Sequence, residues 1–406
     1  SNDSAIPQAI SRVKNVLNQE PANLHYLKEL SGLYGQKGDV REELNSLKKV
    51  VKLESSAAYL VKAGIATYKL KYFDNALDYF KRALKADASY AKTYYPMALT
   101  FGKLGMFDKK VVMLEQGTKI RSGHAATHYE LGRMYSDMGK NKKALPLFLK
   151  ANELDSKKVK YKMGVALAYL NVGETEKSIE LYEKIIAQDQ SISEVYYNLS
   201  IARTKTGDLN QGLLDISMAI KLEPSSPIYL YTIGSISESL NNETAAIGYY
   251  QRAINIDDKY YKPLLNLGNI YDRQGEYSKS IKSLVKAYEL APEDQGVVFS
   301  LGTSFLHNKQ YDTAITLLEK AYNNDKKSTK KLYTLSLAYT ENGENDKAAK
   351  GFVEVIKMDS NFYDAYFYLG QLLYSLDKKD EARTLFNKVL ELNPKYEKKS
   401  IIDEMI

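Results

Sequence analysis

Two histidines stand four residues apart, His124 and His128, the spacing at which a helix presents two metal ligands on one face. The segment HAATH lacks the glutamate of a zinc-protease motif, and no third ligand lies nearby in the sequence. The pair is therefore read as structural. His25 and His307 each stand alone. Cysteine is absent, which removes disulfides, thiolate nucleophiles and cysteine-held zinc or iron–sulfur centres. Neither GxxxxGK[ST] nor GxGxxG occurs, so no glycine loop is expected to cradle a phosphate. Carboxylates are spread along the chain with no pair singled out for acid–base work. Asn198-Leu199-Ser200 and Asn242-Glu243-Thr244 match the glycosylation sequon, a pattern short enough to arise by chance. No catalytic residue, cofactor site or metal site is expected, and the chain is not read as an enzyme.

What the sequence does carry is a period. Ser31, Gly64, Ala98, Gly132, Ala166, Ser200, Gly234, Gly268, Gly302, Ser336 and Gly370 follow one another at intervals of 34, the first interval being 33. A repeat of that length means a solenoid, in which each unit buries its apolar face against its neighbours. Within one unit, Leu264, Leu267, Ile270 and Tyr271 keep helical spacing, Gly275 ends that helix, and Ile281, Leu284, Ala287 and Tyr288 mark a second. Pro292 closes the unit, because proline cannot continue a helix interior.

Composition agrees. The chain has 406 residues and 44% hydrophobic content, enough for a continuous core. No apolar run nears the roughly 18 residues of a membrane span. The net charge is +7, from 57 Lys+Arg against 50 Asp+Glu, and arginine is scarce. Specific nucleic-acid readers lean on bidentate arginine contacts, so the lysine bias makes nucleic acid an unlikely partner. The absence of cysteine suits a cytoplasmic and an exported protein alike and fixes neither.

The unit resembles the tetratricopeptide repeat. The match is carried by Leu131-Gly132, Tyr135, Gly139, Ala144, Phe148 and Ala151 in the fourth repeat. Tyr196, Leu199-Ser200, Gly207, Ala219 and Pro224 carry it in the sixth, and Tyr366, Leu369-Gly370, Ala382, Phe386 and Pro394 in the eleventh. The resemblance implies an all-α, right-handed superhelical solenoid of antiparallel helix pairs. Eleven repeats over residues 24–396 are expected as one continuous domain. The weakest members are repeat 1, with Glu43 where alanine is usual, and repeat 3, with Lys110 and Gly117 in two alanine slots. Residues 1–23, with Ala9, Val13, Val16 and Pro21, fit a cap helix equivalent to half a repeat. Residues 397–406, with Ile401, Ile402 and Met405 on one side, are expected to cap the other end.

In this family the first helix of each repeat lines the concave groove, with positions 2, 5, 6, 9, 12 and 13 facing it. Carried onto this chain, position 5 is aromatic at Tyr95, Tyr129, Tyr197, Tyr231, Phe299, Tyr333 and Phe367. Two readings stand side by side: a ladder of docking platforms, or rings that pack on their own neighbours. The same slots in repeats 1–5 hold seven basic residues, including Lys92 and Arg133, against three acidic ones. Repeats 6–11 hold four basic residues, including Arg273 and Lys330, against five acidic ones. The earlier half should favour acidic ligands. Asn198, Asn266 and Asn269 are candidates to clamp a peptide backbone. The lysine, asparagine and arginine set of the chaperone-tail-binding members is absent, so no such tail is expected as ligand. Pro96 should bend the first helix of repeat 3 and widen the face beside Tyr95 and Lys92, unless it falls near the helix start.

The resemblance implies a non-catalytic scaffold or adaptor holding a protein or peptide segment, acidic or extended, with no small-molecule substrate. The rival readings are the recognition arm of an enzyme or of a secretion or assembly complex, RNA binding, and self-assembly through the open ends.

Overall fold

The structure is a computed structural model that describes residues 5–405. Twenty-four α-helices and one 3-10 turn follow one another, with no strand among the described residues. They gather into two compact units, the first running to Ser191 and the second starting at Ile192. The first holds a leading helix (Ala5–Gln19) and repeats 1–5; the second holds repeats 6–11 and a closing helix (Lys399–Met405). Among the described residues, no helix is long and apolar enough to cross a membrane.

Numbering each repeat from 1, with its small residue at position 8, the second helix begins at position 17 in all eleven, from Val40 to Lys379. The first helix begins at position 1 in every repeat but the third. Several starts are fixed by a side-chain oxygen: Asn23, Asp39, Asp208, Ser226, Asn242, Asp294 and Ser328 each accept a bond from the amide three residues on. The turn between the helices sits at position 15, where every repeat has a positive φ. Seven of these residues are glycine and four are Lys71, Asn241, Lys309 and Asp377, so tertiary packing holds the turn even where a side chain resists it.

Repeat 3 starts differently. Ala91–Thr93 form a 3-10 turn and the α-helix begins at Tyr94, which places Pro96 in its first turn. An amide there has no intrahelical acceptor, so the proline deletes no hydrogen bond. The expected bend is replaced by a late start.

Each helix pair closes on one contact. Position 24 is buried in all eleven repeats, as Leu47, Phe80, Leu114, Phe148, Tyr182, Ile216, Tyr250, Leu284, Leu318, Phe352 and Phe386. Its side chain lies against the small residue at position 8. In the six repeats with glycine there, an added Cβ would come within 2.5–3.2 Å of that side chain.

The departures from the common pattern are locally compensated. Glu43 and Lys110 occupy position 20, where most repeats have a small residue, and each faces a glycine at position 12. A Cβ at Gly35 would lie 3.1 Å from Glu43 Oε1, and one at Gly102 would lie 3.1 Å from Lys110 Cδ. Repeat 6 reverses the arrangement, with Gly212 at position 20 making room for Thr204. In repeat 10 a Cβ at Gly351 would overlap Ser336 Oγ, so the glycine admits the serine at position 8.

The leading helix packs Ile10 and Val13 on Leu30 and Tyr34. The closing helix buries Ile402 with Tyr396, Phe386 and Phe367, and Met405 packs beside them. Ile401 is exposed. Residues 1–4 of the expected first cap and Ile406 of the second lie outside the described residues.

Candidate functional site

The aromatic rings at position 5 are half-buried, and the reason recurs. Tyr129, Tyr231 and Tyr333 are each held between the position-24 ring of their own repeat and a ring at the next junction. In the first unit, Tyr129 lies 5.5 Å from Phe148 and 5.2 Å from Tyr161, centroid to centroid. Lys160 Nζ sits 5.3 Å from its ring. In the second unit, Tyr231 lies 5.8 Å from Tyr250 and 5.4 Å from Tyr260. Tyr333 lies 4.8 Å from Phe362 and 6.1 Å from Phe352. Tyr197 packs on Tyr229 at 5.1 Å. Phe299 carries Lys330 Nζ at 5.6 Å from its ring. Packing thus takes up one side of each of these rings and leaves the remainder accessible. Phe367 differs. It is 1% exposed beneath Tyr396 and Phe386, and it belongs to the core of the last repeat.

Several polar candidates are engaged within the second unit. Asn266 Nδ2 donates to Tyr250 Oη at 3.0 Å, and that hydroxyl donates to Glu238 Oε2 at 2.9 Å. Arg273 Nη2 reaches Glu238 Oε1 at 2.8 Å and Glu243 Oε1 at 3.0 Å. Hydrogen bonds from Gln274 and Arg273 hold the Glu243 carboxyl below its ordinary value, and burial pushes the Tyr250 phenol up. The network ties repeats 7 and 8 together and uses the donors of Arg273 on internal carboxylates. Asn198 is 9% exposed and presents little amide edge, whereas Asn269 is half-buried.

His307 Nδ1 lies 2.9 Å from Asp272 Oδ2, joining repeats 8 and 9. The hydrogen bond to that carboxylate raises the imidazole pKa above its ordinary value, against the opposing effect of burial. A raised folded pKa means that the pair stabilises fully below the ordinary histidine value and is lost as pH rises through the raised one. Because the ring is 43% exposed, the gain is a few tenths of a kcal/mol at most. Thermal midpoints read at about pH 5.5 and about pH 8.5, either side of the ordinary histidine value, should fall slightly more for the parent than for His307→Gln. Parallel changes in the two proteins would remove this role from the pair.

The first unit has an apolar-floored pocket of about 430 Å³. Ile65 and Tyr68 from repeat 2 face Tyr95, Pro96 and Leu99 from repeat 3 across it. Lys69, Lys92, Arg121 and His124 also line it, and no carboxylate is among the lining residues. Tyr95 meets His124 edge-on at 5.1 Å. Elsewhere in this unit cations are paired: Lys28 with Glu54 at 2.7 Å, and Lys110 and Arg133 with Glu130 at 3.3 and 3.6 Å. Lys92 and Tyr95 were legible from their slots, while Arg121 and His124 come from the loop that joins repeats 3 and 4. The available signal was Gly117, the one glycine at position 27, which lines the same pocket.

The two close histidines are both occupied. His124 Nδ1 lies 2.6 Å from Thr127 Oγ1, and His128 Nε2 lies 2.8 Å from the Ser122 carbonyl. Among the described residues, no three or more His, Asp or Glu side chains group as metal ligands.

Models of the tetratricopeptide repeat match residues 125–158, 228–260 and 265–329. A model described as anaphase-promoting complex, cyclosome, subunit 3 matches residues 307–389. No curated protein matches the chain. Among solved structures, the APC/C hetero-tetramer Cut9-Hcn1 is similar at 14% identity with a TM-score of 0.52, covering 100% of this chain and 95% of that one. Yeast Tom70 aligns at 14% identity and a TM-score of 0.42, covering 94% and 95%. YrrB, described as a TPR protein with an unusual peptide-binding site, aligns at 19% identity and a TM-score of 0.43, covering 45% and 95%. At these identities the likeness to the Cut9 structure speaks to the fold.

Proposed function

Since this chain is a tetratricopeptide-repeat protein, we propose that it is a non-catalytic scaffold that holds a segment of a partner protein along the first helices of its repeats. The observation that carries this reading is the row of half-buried aromatics at position 5. Such rings are already fixed by packing, so they offer contact area at little further entropy cost. Cationic side chains stand beside several of them, as Lys92 does beside Tyr95 and Lys160 beside Tyr129. In the first unit the contact residues are Lys92, Tyr95, Tyr129 and Arg133. In the second they are Tyr197, Tyr231, Asn269, Phe299, Lys330 and Tyr333, with Asn266 and Arg273 supporting them through internal contacts and Asn198 nearly buried beside Tyr197. The match of residues 307–389 to a subunit of a multiprotein complex favours a role among protein partners.

The test is affinity capture from the native lysate with the full chain, beside a folded variant carrying Tyr129→Ala and Tyr333→Ala. The expected result is one or more protein partners retained by the parent and depleted by the variant. Retention of RNA alone, or no partner at all, would overturn the reading.

A further inference from the structure

We propose that the pocket between the first helices of repeats 2 and 3 receives one large apolar side chain of a partner segment, with carboxylates on either side of that residue. This deepens the scaffold reading and rests on it. The floor is apolar, formed by Ile65, Tyr68, Tyr95 and Leu99, and its volume of about 430 Å³ admits a leucine, phenylalanine or tryptophan side chain with adjoining backbone.

The rim sets the chemistry of the flanking residues. Lys69, Lys92 and Arg121 have no carboxylate partner among the described residues, in contrast to the paired Lys28, Lys110 and Arg133 of the same unit. The three come from different elements: the end of the first helix of repeat 2, the 3-10 turn of repeat 3, and the loop before repeat 4. A ligand with one acidic head satisfies only part of such a rim, whereas a chain with acids before and after its apolar anchor meets several cations at once. Burial first, then the positive charge of Arg121 and its neighbours, holds the His124 imidazole below its ordinary value. That direction agrees with an excess of positive potential over the pocket.

The pocket belongs to this repeat for sequence reasons. Position 27 carries alanine, valine or isoleucine in the other ten repeats and Gly117 here. The 3-10 start also delays the helix that carries Tyr95 and Pro96. Arginine and lysine also attract phosphate, but the apolar floor is matched by a hydrophobic side chain and not by a sugar–phosphate backbone.

The test is panning of a phage-displayed random dodecapeptide library on the full chain, followed by fluorescence anisotropy with the enriched peptides made synthetically. The expected enrichment is a large apolar residue flanked by aspartate or glutamate. Binding should weaken about tenfold in the folded variant Lys92→Glu/Arg121→Glu, as for the loss of close charge pairs. It should also weaken several-fold between about 50 and about 300 mM salt. Ile65→Trp, which fills the pocket without changing charge, should weaken it as well. No enrichment, enrichment of neutral or basic sequences, equal binding by all three proteins, or tighter binding of a labelled oligouridine would each overturn the proposal. Lysate partners that stay bound to both pocket variants would sink this site and leave the scaffold reading standing. Absence of any lysate partner would sink the scaffold reading itself.

Discussion

Phe352→Ala will lower the stability of the second unit by about 3–5 kcal/mol, the range for removing a fully buried phenylalanine. The ring is 0% exposed and lies nearly parallel to Tyr368, with centroids 6.0 Å apart and an interplanar angle of 13°. Leu332, Val355, Ala365 and Leu369 surround it, and Tyr333 approaches to 6.1 Å. Alanine would leave a cavity walled by two tyrosines whose rings are already held from other sides, so little collapse is expected. Because repeats touch only their neighbours, the damage should stay local. Urea denaturation followed by circular dichroism reads the cost, and hydrogen exchange should find lost protection in repeats 9–11 and native protection in the repeats before them. A cost under about 1 kcal/mol would mean that Tyr333 and Tyr368 close the gap.

Gly268→Val should cost the same unit about 2–3 kcal/mol, through overpacking. An ideal Cβ at Gly268 falls 2.5 Å from Leu284 Cγ, so any side chain must push the two helices of repeat 8 apart. The chain itself shows how much opening is tolerated, because Ala98 and Ala166 occupy the same slot in repeats 3 and 5. Gly268→Ala should therefore lie within about 1 kcal/mol of the parent, the clash being offset by the higher helix propensity of alanine. Valine adds two methyl groups and helps the helix less. Equal denaturation midpoints for the alanine and valine variants would show that the helix pair is looser than its geometry implies.

Most of the fold was legible because the period fixes the positions that must be small or large. Once Ser31 through Gly370 are aligned, the helix start at position 17 follows, as does that at position 1 in every repeat but the third, and so does the burial of position 24. What escaped the period lies where side chains from different elements meet. The position-5 rings read equally well as platforms or as packing. Only the junction rings, such as Tyr161 on Tyr129 and Phe362 on Tyr333, reveal that they are partly both. Phe367 looks like its fellows in sequence, but Tyr396, and Ile402 of the closing helix, share its buried cluster. Arg273 and Asn266 read as free donors until Glu238, Glu243 and Tyr250 are placed beside them. Arg121 and His124 could not be found by counting along a helix, since they stand between helices.

Across repeat junctions, ties recur at fixed slots. Tyr135 donates to Glu115, which pushes its phenol up to about 12, and Tyr339 donates to Glu319 at 2.5 Å between the same two positions six repeats later. Such ties depend on which repeat comes next. The compensations do not. Gly35 with Glu43, Gly102 with Lys110, Thr204 with Gly212, and Ser336 with Gly351 each lie inside one repeat. A block of 34 residues cut at repeat boundaries therefore carries both halves of every such pair. Moved, duplicated or deleted as a block, a repeat keeps its own internal fit, and what it forfeits is the packing and bonds at its junctions. Rearranging whole units therefore puts the junctions at risk and leaves the interior of each repeat matched to itself.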